Sequence, residues 1–175
     1  MQHENLWAPW RLAYLKRLDA RRDAVSGSDE KNASVNFLLE YWQSPELDVQ
    51  NHVIHRDAQG MILLNRYPYA SGHLLVALGE PRPGLLDYDP AQRASFWRLV
   101  EKAMQLVMDV LNPNGANMGI NQGDSAGAGL PEHVHAHVVP RWSGDTNFMT
   151  TIGDVRVMPV SLEDMAAQYR QHLSG

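Results

Sequence analysis

Apolar and polar positions alternate strictly along Glu132-His133-Val134-His135-Ala136-His137-Val138-Val139-Pro140-Arg141. Period-two alternation predicts a β-strand with two unlike faces, the three imidazoles on one and Val134, Ala136 and Val138 turned toward a core. Two unbroken apolar runs, Met61-Ile62-Leu63-Leu64-Asn65 and His73-Leu74-Leu75-Val76-Ala77-Leu78, read as buried strands. Their polar ends, Asn65 and His73, fall at a sheet rim, where sites are commonly built. Val49 to Arg56 and Ala116 to Asn121 supply two further strands. Val155 to Val160 reads as a short edge strand, because Pro159 cannot donate to a central ladder.

The period changes to 3.6 after Asp89. Phe96, Leu99, Val100, Ala103, Leu106, Val107, Val110 and Leu111 form one helical stripe. Asp89 as N-cap, Pro90 in the first turn and Gln92 completing a capping box start that helix, and Asn112-Pro113-Asn114-Gly115 stops it. Met104 and Met108 widen the stripe enough to meet a partner subunit. Shorter helices are expected over Val35 to Gln43 and from Ser161 to His172, and another begins at Pro9. Residues 19–34 are polar and read as a linker. The whole chain, 1–175, reads as one domain, with residues 1–34 as an N-terminal extension and linker and 150–175 as a C-terminal strand and helix.

Hydrophobic content of 44% and charged content of 20% suit an ordinary globular core. The chain has no cysteine, which rules out disulfides and thiolate-bound zinc. A formal net charge of -5 argues against a general nucleic-acid binder. No apolar run reaches signal-peptide or membrane-spanning length, so a soluble, cytoplasmic protein is expected.

Gly123-Asp124-Ser125-Ala126-Gly127-Ala128-Gly129-Leu130-Pro131 precedes the histidines. Such a glycine-rich loop allows close backbone approach and can turn N–H groups toward an anion. Three readings of the imidazole row follow. A merely solvated polar face fits three histidines in register poorly. His-x-His can offer two ligands to a metal. One imidazole can instead attack phosphorus while its neighbours set its tautomer. Spacing does not choose between the last two; the loop favours phosphate chemistry. Arg141 is a nearby cation that would help an incoming phosphate, with Asp124 and Glu132 opposing it.

His133-Val134-His135-Ala136-His137-Val138-Val139 resembles the signature of the histidine triad superfamily. Leu64 to Val76, including Asn65-Arg66-Tyr67-Pro68-Tyr69-Ala70-Ser71-Gly72-His73, resembles its second signature. Leu6-Trp7-Ala8-Pro9-Trp10-Arg11 and the stretch from Ala126 to Met149 look like one branch, the bacterial diadenosine tetraphosphate phosphorylases, or ATP adenylyltransferases. The resemblance implies an α+β fold: a five-stranded antiparallel sheet with a long helix, extended across a homodimer. It also implies nucleotidyl transfer through a covalent nucleotidyl-histidine on His135, flanked by His133 and His137. Asn65 matches a position that bonds the ribose hydroxyls, His73 a histidine near the α-phosphate and Asn121 a contact to phosphate oxygen. Gly127, Ala128 and Gly129 match the loop on the phosphates, and His133 is a candidate proton donor to the leaving group.

Two departures matter. Where many hydrolases of the superfamily keep a glutamine after the loop glycine, this chain has Ala128, which favours phosphorolysis of diadenosine tetraphosphate to ADP and ATP. Where many bacterial relatives carry Cys-x-x-Cys of a structural zinc site, it has Val35-Asn36-Phe37-Leu38, so neither metal nor cofactor is expected. The implied partners are an adenine nucleotide or dinucleoside polyphosphate, inorganic phosphate and a second copy of the chain. The alternatives are a hydrolase of dinucleoside polyphosphates or nucleoside phosphoramidates, and a non-catalytic nucleotide- or metal-binding module.

Overall fold

The computed structural model describes residues 36–146 and 158–175. The helix expected after Pro9, the linker and the segment from Asn147 to Val157 lie outside these residues. Helix α1 (Phe37–Gln43) leads through a 3-10 turn (Pro45–Leu47) to β1 (Val53–Arg56), β2 (Gly60–Leu64) and β3 (Leu74–Leu78). Helix α2 (Pro90–Leu111), β4 (Gly115–Ile120), β5 (His135–Arg141) and helix α3 (Leu162–Ser174) follow. The strands form one antiparallel sheet of five in the order β1-β2-β3-β5-β4, an α+β arrangement with β4 at one edge.

Period two gives the sheet two apolar faces with different covers. Ile62, Leu64, Leu74, Val76, Leu78, Val134, Ala136 and Val138 pack against α2 and α3 in the larger cluster. Met61, Leu63, Leu75, Ala77 and Val53 face the other way, against Leu38, Phe37, Tyr41 and Trp42 of α1 and against Leu130. β2 and β3 are buried at every position, as unbroken apolar runs require.

Helix α2 begins as its sequence dictates. The Asp89 carboxylate accepts Gln92 N–H at 2.8 Å, and the Gln92 side-chain oxygen accepts Asp89 N–H at 3.0 Å. It ends at Asn112, in the left-handed conformation with φ 45, where the side chain tolerates that backbone. Of the stripe, Phe96, Leu99, Val100, Ala103, Leu106 and Val107 are buried, whereas Met108 stays 39% exposed. No helix among the described residues is long and apolar enough to cross a membrane.

Three expectations change. The strand expected from Val49 starts only at Val53, because Asn51 N–H folds back to the Leu47 carbonyl and His52 adopts φ 54. Of the edge strand expected over Val155 to Val160, only Met158 to Val160 are among the described residues, and these three carry no strand. β5 starts at His135 rather than at Glu132: Val134 N–H donates to the Arg82 carbonyl at 2.7 Å, and pairing with β3 begins at Ala77 and His135.

The loop entering β3 is held from α3. Tyr169, fully buried, donates its hydroxyl to the Gly72 carbonyl at 2.9 Å. Gly72 has φ +82, and a Cβ there would lie 2.3 Å from Leu111 Cδ1, so only glycine fits. Tyr169→Phe leaves that carbonyl without its donor. Stability is expected to fall by about 1–3 kcal/mol, read as a lower urea midpoint at unchanged slope.

Candidate active site

β5 presents His135 and His137 on the sheet face opposite α2, opposite Ala77 and Leu75 of β3. Their rings are neighbours, with centroids 5.1 Å apart. On the far side of β5, His137 pairs with Gly119 of β4. A Cβ at Gly119 would meet nothing within 4 Å, so the floor beside His137 is open. α1 covers this face only over Val53, Met61, Leu63, Leu75 and Ala77.

The hydrogen bonds assign each ring a tautomer. His135 Nδ1–H donates to the His133 carbonyl at 2.8 Å, which leaves the lone pair on Nε2. The second signature sets His137. Tyr69 N–H donates to His73 Nδ1 at 3.1 Å, so His73 in its neutral form carries its proton on Nε2. His73 Nε2 lies 3.0 Å from His137 Nδ1 and donates to it, which puts the His137 proton on Nε2. Side by side, then, one imidazole offers a lone pair and the next an N–H. A chelating pair would offer two lone pairs; a nucleophile beside a phosphate-oxygen donor needs one of each.

Burial keeps these rings neutral. Desolvation lowers the pKa of His135, against the opposing pull of the His133 carbonyl. Desolvation and then the neighbouring His135 push His137 down to about 4. His133 is lowered by burial first, while the Leu78 carbonyl raises it.

The third imidazole is not in the row. His133 precedes β5, is fully buried, and lies with Nε2 2.7 Å from the Leu78 carbonyl and Nδ1 3.1 Å from Asn36 Oδ1. With both nitrogens occupied inside the protein it cannot protonate a leaving group, which corrects that expectation. His73 is also fully buried, behind His137, with both ring nitrogens engaged. Asn65 lies beside it: its Nδ2 is 3.3 Å from His73 Nδ1 and its Oδ1 accepts Tyr67 N–H at 2.9 Å. One amide hydrogen and one lone pair of Asn65 remain for a ligand. Asn121 directly follows β4 and is partly buried.

The glycine loop is tighter than its sequence suggests. Asp124–Ala126 form a 3-10 turn closed by Gly127 in the left-handed conformation, φ 79. Gly127 N–H donates to the Asp124 carbonyl and Ala128 N–H to the Gly123 carbonyl, so neither is aimed at an anion. Among the described residues, Gly129 N–H donates to no backbone acceptor. Arg141 is not brought to the loop within one chain. It follows His137 by four residues, roughly 13 Å along a strand, and its guanidinium is held by Asp145 at 2.6 and 2.8 Å and by Asn117 at 2.8 Å.

The zinc arrangement of Cys-x-x-Cys relatives does not fit. Leu38 is fully buried in an apolar cluster, Asn36 caps α1, and among the described residues no three His, Asp or Glu side chains converge. Three residues of the site were not foreseen. Tyr69 stacks on His137 at 5.9 Å with an interplanar angle of 22°. Gly119 lies open beside His137, and Asn36 reaches His133. Only Asn36 had a local signal, a capping residue ahead of an apolar run.

The HIT domain model matches residues 46–144. A Mycobacterium tuberculosis protein named AP-4-A phosphorylase is 37% identical over 164 residues, 93% of this chain and 80% of that protein. A Schizosaccharomyces pombe protein named bis(5'-nucleosyl)-tetraphosphatase (asymmetrical) is 32% identical over 97 residues, 55% of this chain and 53% of that one. Among solved structures, a zinc-bound histidine triad family protein from Mycobacterium smegmatis superposes with a TM-score of 0.62 at 26% identity, covering 77% of this chain and 92% of that one.

The lowered imidazole pKa values set a pH window. The unfolded chain takes up protons near the ordinary histidine value of 6.5, and the folded His137 only near 4. Between those values the unfolded state binds more protons, so stability present above 6.5 is lost as pH falls toward 4. Denaturation at stepped pH should show that decline, and His137→Asn should flatten it.

Proposed function

The chain belongs to the HIT domain family, and from that premise we propose that it cleaves diadenosine tetraphosphate with inorganic phosphate, through a nucleotidyl group carried on His135. The observation that carries this reading is the opposed pair of tautomers. A lone pair on His135 Nε2 lies beside an N–H on His137 Nε2, over an open floor at Gly119.

In this reading Asn65 takes the ribose hydroxyls, and Asn121 and Gly129 N–H take phosphate oxygens. His135 attacks the α-phosphorus in line. The bond to the bridging oxygen breaks and ATP departs, while His137 Nε2–H bonds a non-bridging oxygen as charge shifts onto it. His73 touches no phosphate and acts by fixing the His137 tautomer. His133 acts through its carbonyl, which fixes His135. Phosphate oxygen then attacks the adenylyl-histidine from the opposite side and ADP leaves.

Phosphate rather than water is supported by the loop. Ala128 has no side-chain hydrogen-bonding group, and its N–H is spent on Gly123, so nothing at this position holds a water in line. The Mycobacterium tuberculosis relative carries the corresponding name. The cytoplasm, where adenine nucleotides and phosphate coexist, is the setting we assign.

We also propose a homodimer that continues the sheet across β4. β4 is an edge strand whose Met118 is 50% exposed, and α2 leaves Met108 and Trp97 exposed at 39% and 37%. An apolar edge of this kind needs a cover. Sedimentation at micromolar concentration should show a dimer, and a monomer alone would reject it.

Incubation of diadenosine tetraphosphate with labelled phosphate should place label in ADP. AMP and ATP as sole products, unaffected by phosphate, would make the protein a hydrolase. His135→Ala should lower turnover by on the order of 10⁴-fold or more, with nucleotide affinity little changed.

A further inference from the structure

The groups gathered at the triad are neutral imidazoles, amides and a backbone N–H, and none of them is a cation. A polyphosphate bound there carries negative charge beyond the phosphate that His135 attacks. Arg141 lies on the same face of β5, but Val139 stands between it and His137.

The bonds of the guanidinium show where it goes instead. Asn117 of β4 accepts from Nη1 at 2.8 Å, so the side chain has crossed from β5 onto the edge strand. Asp145 accepts from Nε at 2.6 Å and from Nη2 at 2.8 Å, which fixes the plane of the fork. Among the described residues, one N–H on each Nη is left for an acceptor, and the side chain is partly exposed.

The symmetry of a dimer joined through β4 decides which site that fork serves. Antiparallel pairing of β4 with its copy needs a two-fold axis normal to the sheet. Residues directly opposite each other share a face, so the axis falls on a residue. A pairing that uses all but one residue of Gly115–Ile120 centres on Asn117 or on Met118. Centred on Met118, Asn117 lies opposite the partner's Gly119, which pairs with the partner's His137. Centred on Asn117, that place is taken by Gly115, which pairs with Arg141. In both registers a straight cross-strand row leads from His137 over Gly119 to the Arg141–Asn117 pair of the other copy. Its floor is bare, since a Cβ at Gly119 or Gly115 would meet nothing within 4 Å within the chain. The longer row spans three strand spacings, roughly 14 Å, which leaves room for a chain of phosphates.

We propose that Arg141 serves the active site of the partner subunit, where its two remaining N–H groups take the phosphate next to the one that the partner's His135 attacks. This rests on the reading of the reaction and of the β4 dimer given above. Departure and second attack are both in line with the bond from His135 to phosphorus. The β-phosphate of the substrate and the incoming phosphate therefore occupy that place in turn, and one guanidinium holds both.

Hybrid dimers separate the two chains. His135→Ala and Arg141→Gln chains, coexpressed with different tags and purified on both, give a dimer in which one site keeps its own His135 and its neighbour's Arg141. The Arg141→Gln homodimer should show a KM for phosphate raised about tenfold or more, the scale of a lost bond between charged groups. The hybrid should regain about half the native rate, one site of two, at the native KM. A fold damaged by Arg141→Gln cannot mimic this, because the recovered site lies in the Arg141→Gln chain. A hybrid with the raised KM would overturn the proposal, and so would an Arg141→Gln homodimer with native KM. Calorimetry should show Arg141→Gln binding ADP about tenfold more weakly and AMP, which has no second phosphate, as the native chain does. Equal loss for both nucleotides counts against the assignment. The chain has no cysteine, so Asn117→Cys and Met118→Cys each add one thiol, and a short thiol cross-linker should join the dimer through at least one of them. No covalent dimer from either variant rejects the shared site. Should the native chain cleave no dinucleoside polyphosphate, the reading of the reaction fails, and cross-linking with the ADP and AMP affinities still decides the place of Arg141.

Discussion

A neutral imidazole carries its proton on one nitrogen or the other, never both, and this site is organised by that constraint. The His133 carbonyl claims the proton of His135 on Nδ1. Through Tyr69 N–H and His73, the second signature claims that of His137 on Nε2. Neighbouring rings on one strand face are thereby made chemically opposite, although alternation alone makes them equivalent. Burial supports the assignment by keeping both rings neutral. Neither ring needs a charged partner, and the lone pair on His135 Nε2 is set by desolvation and one backbone carbonyl.

The sheet's two faces divide the labour. The face toward α2 and α3 is aliphatic throughout and holds the fold. The other is covered by α1 over the first three strands and left open over β5 and β4, where small residues, Gly115 and Gly119, lie opposite Arg141 and His137. The short helix α1 is therefore more than a lid on a second core. Its cap residue reaches the triad, and its C-terminal carbonyls of Tyr41 and Trp42 are bonded by Arg56, which also pairs with Asp48. Helix and edge strand are joined by these polar contacts.

What could be read from the sequence follows the range of the interactions involved. Helix α2 was legible to its first hydrogen bond because Asp89, Pro90 and Gln92 act within one turn. β2 and β3 were legible because a strand buried on both faces has a continuous apolar run. The place of His133 was not, because it depends on the carbonyls of Leu78 and Arg82, which local pattern does not report. Glycine content promised an open anion cradle, but the turn from Gly123 to Ala128 uses its own N–H groups. Arg141 was assigned to the loop by charge and proximity in sequence, and Asp145 and Asn117 hold it elsewhere.

The bonds that define the site also determine when it can exist. His73 and His137 are 64 residues apart. β5 enters the sheet between β3 and β4, with α2 already crossing behind them. Contacts of such separation pay their loop-closure entropy last and are slow to form. The His137 tautomer is fixed only once β3 and β5 are paired, because its partner His73 arrives with a different strand. The N–H on His137 Nε2 is therefore a property of the assembled sheet, and a chain whose β3 and β5 are not yet paired leaves that ring free to exchange its tautomers.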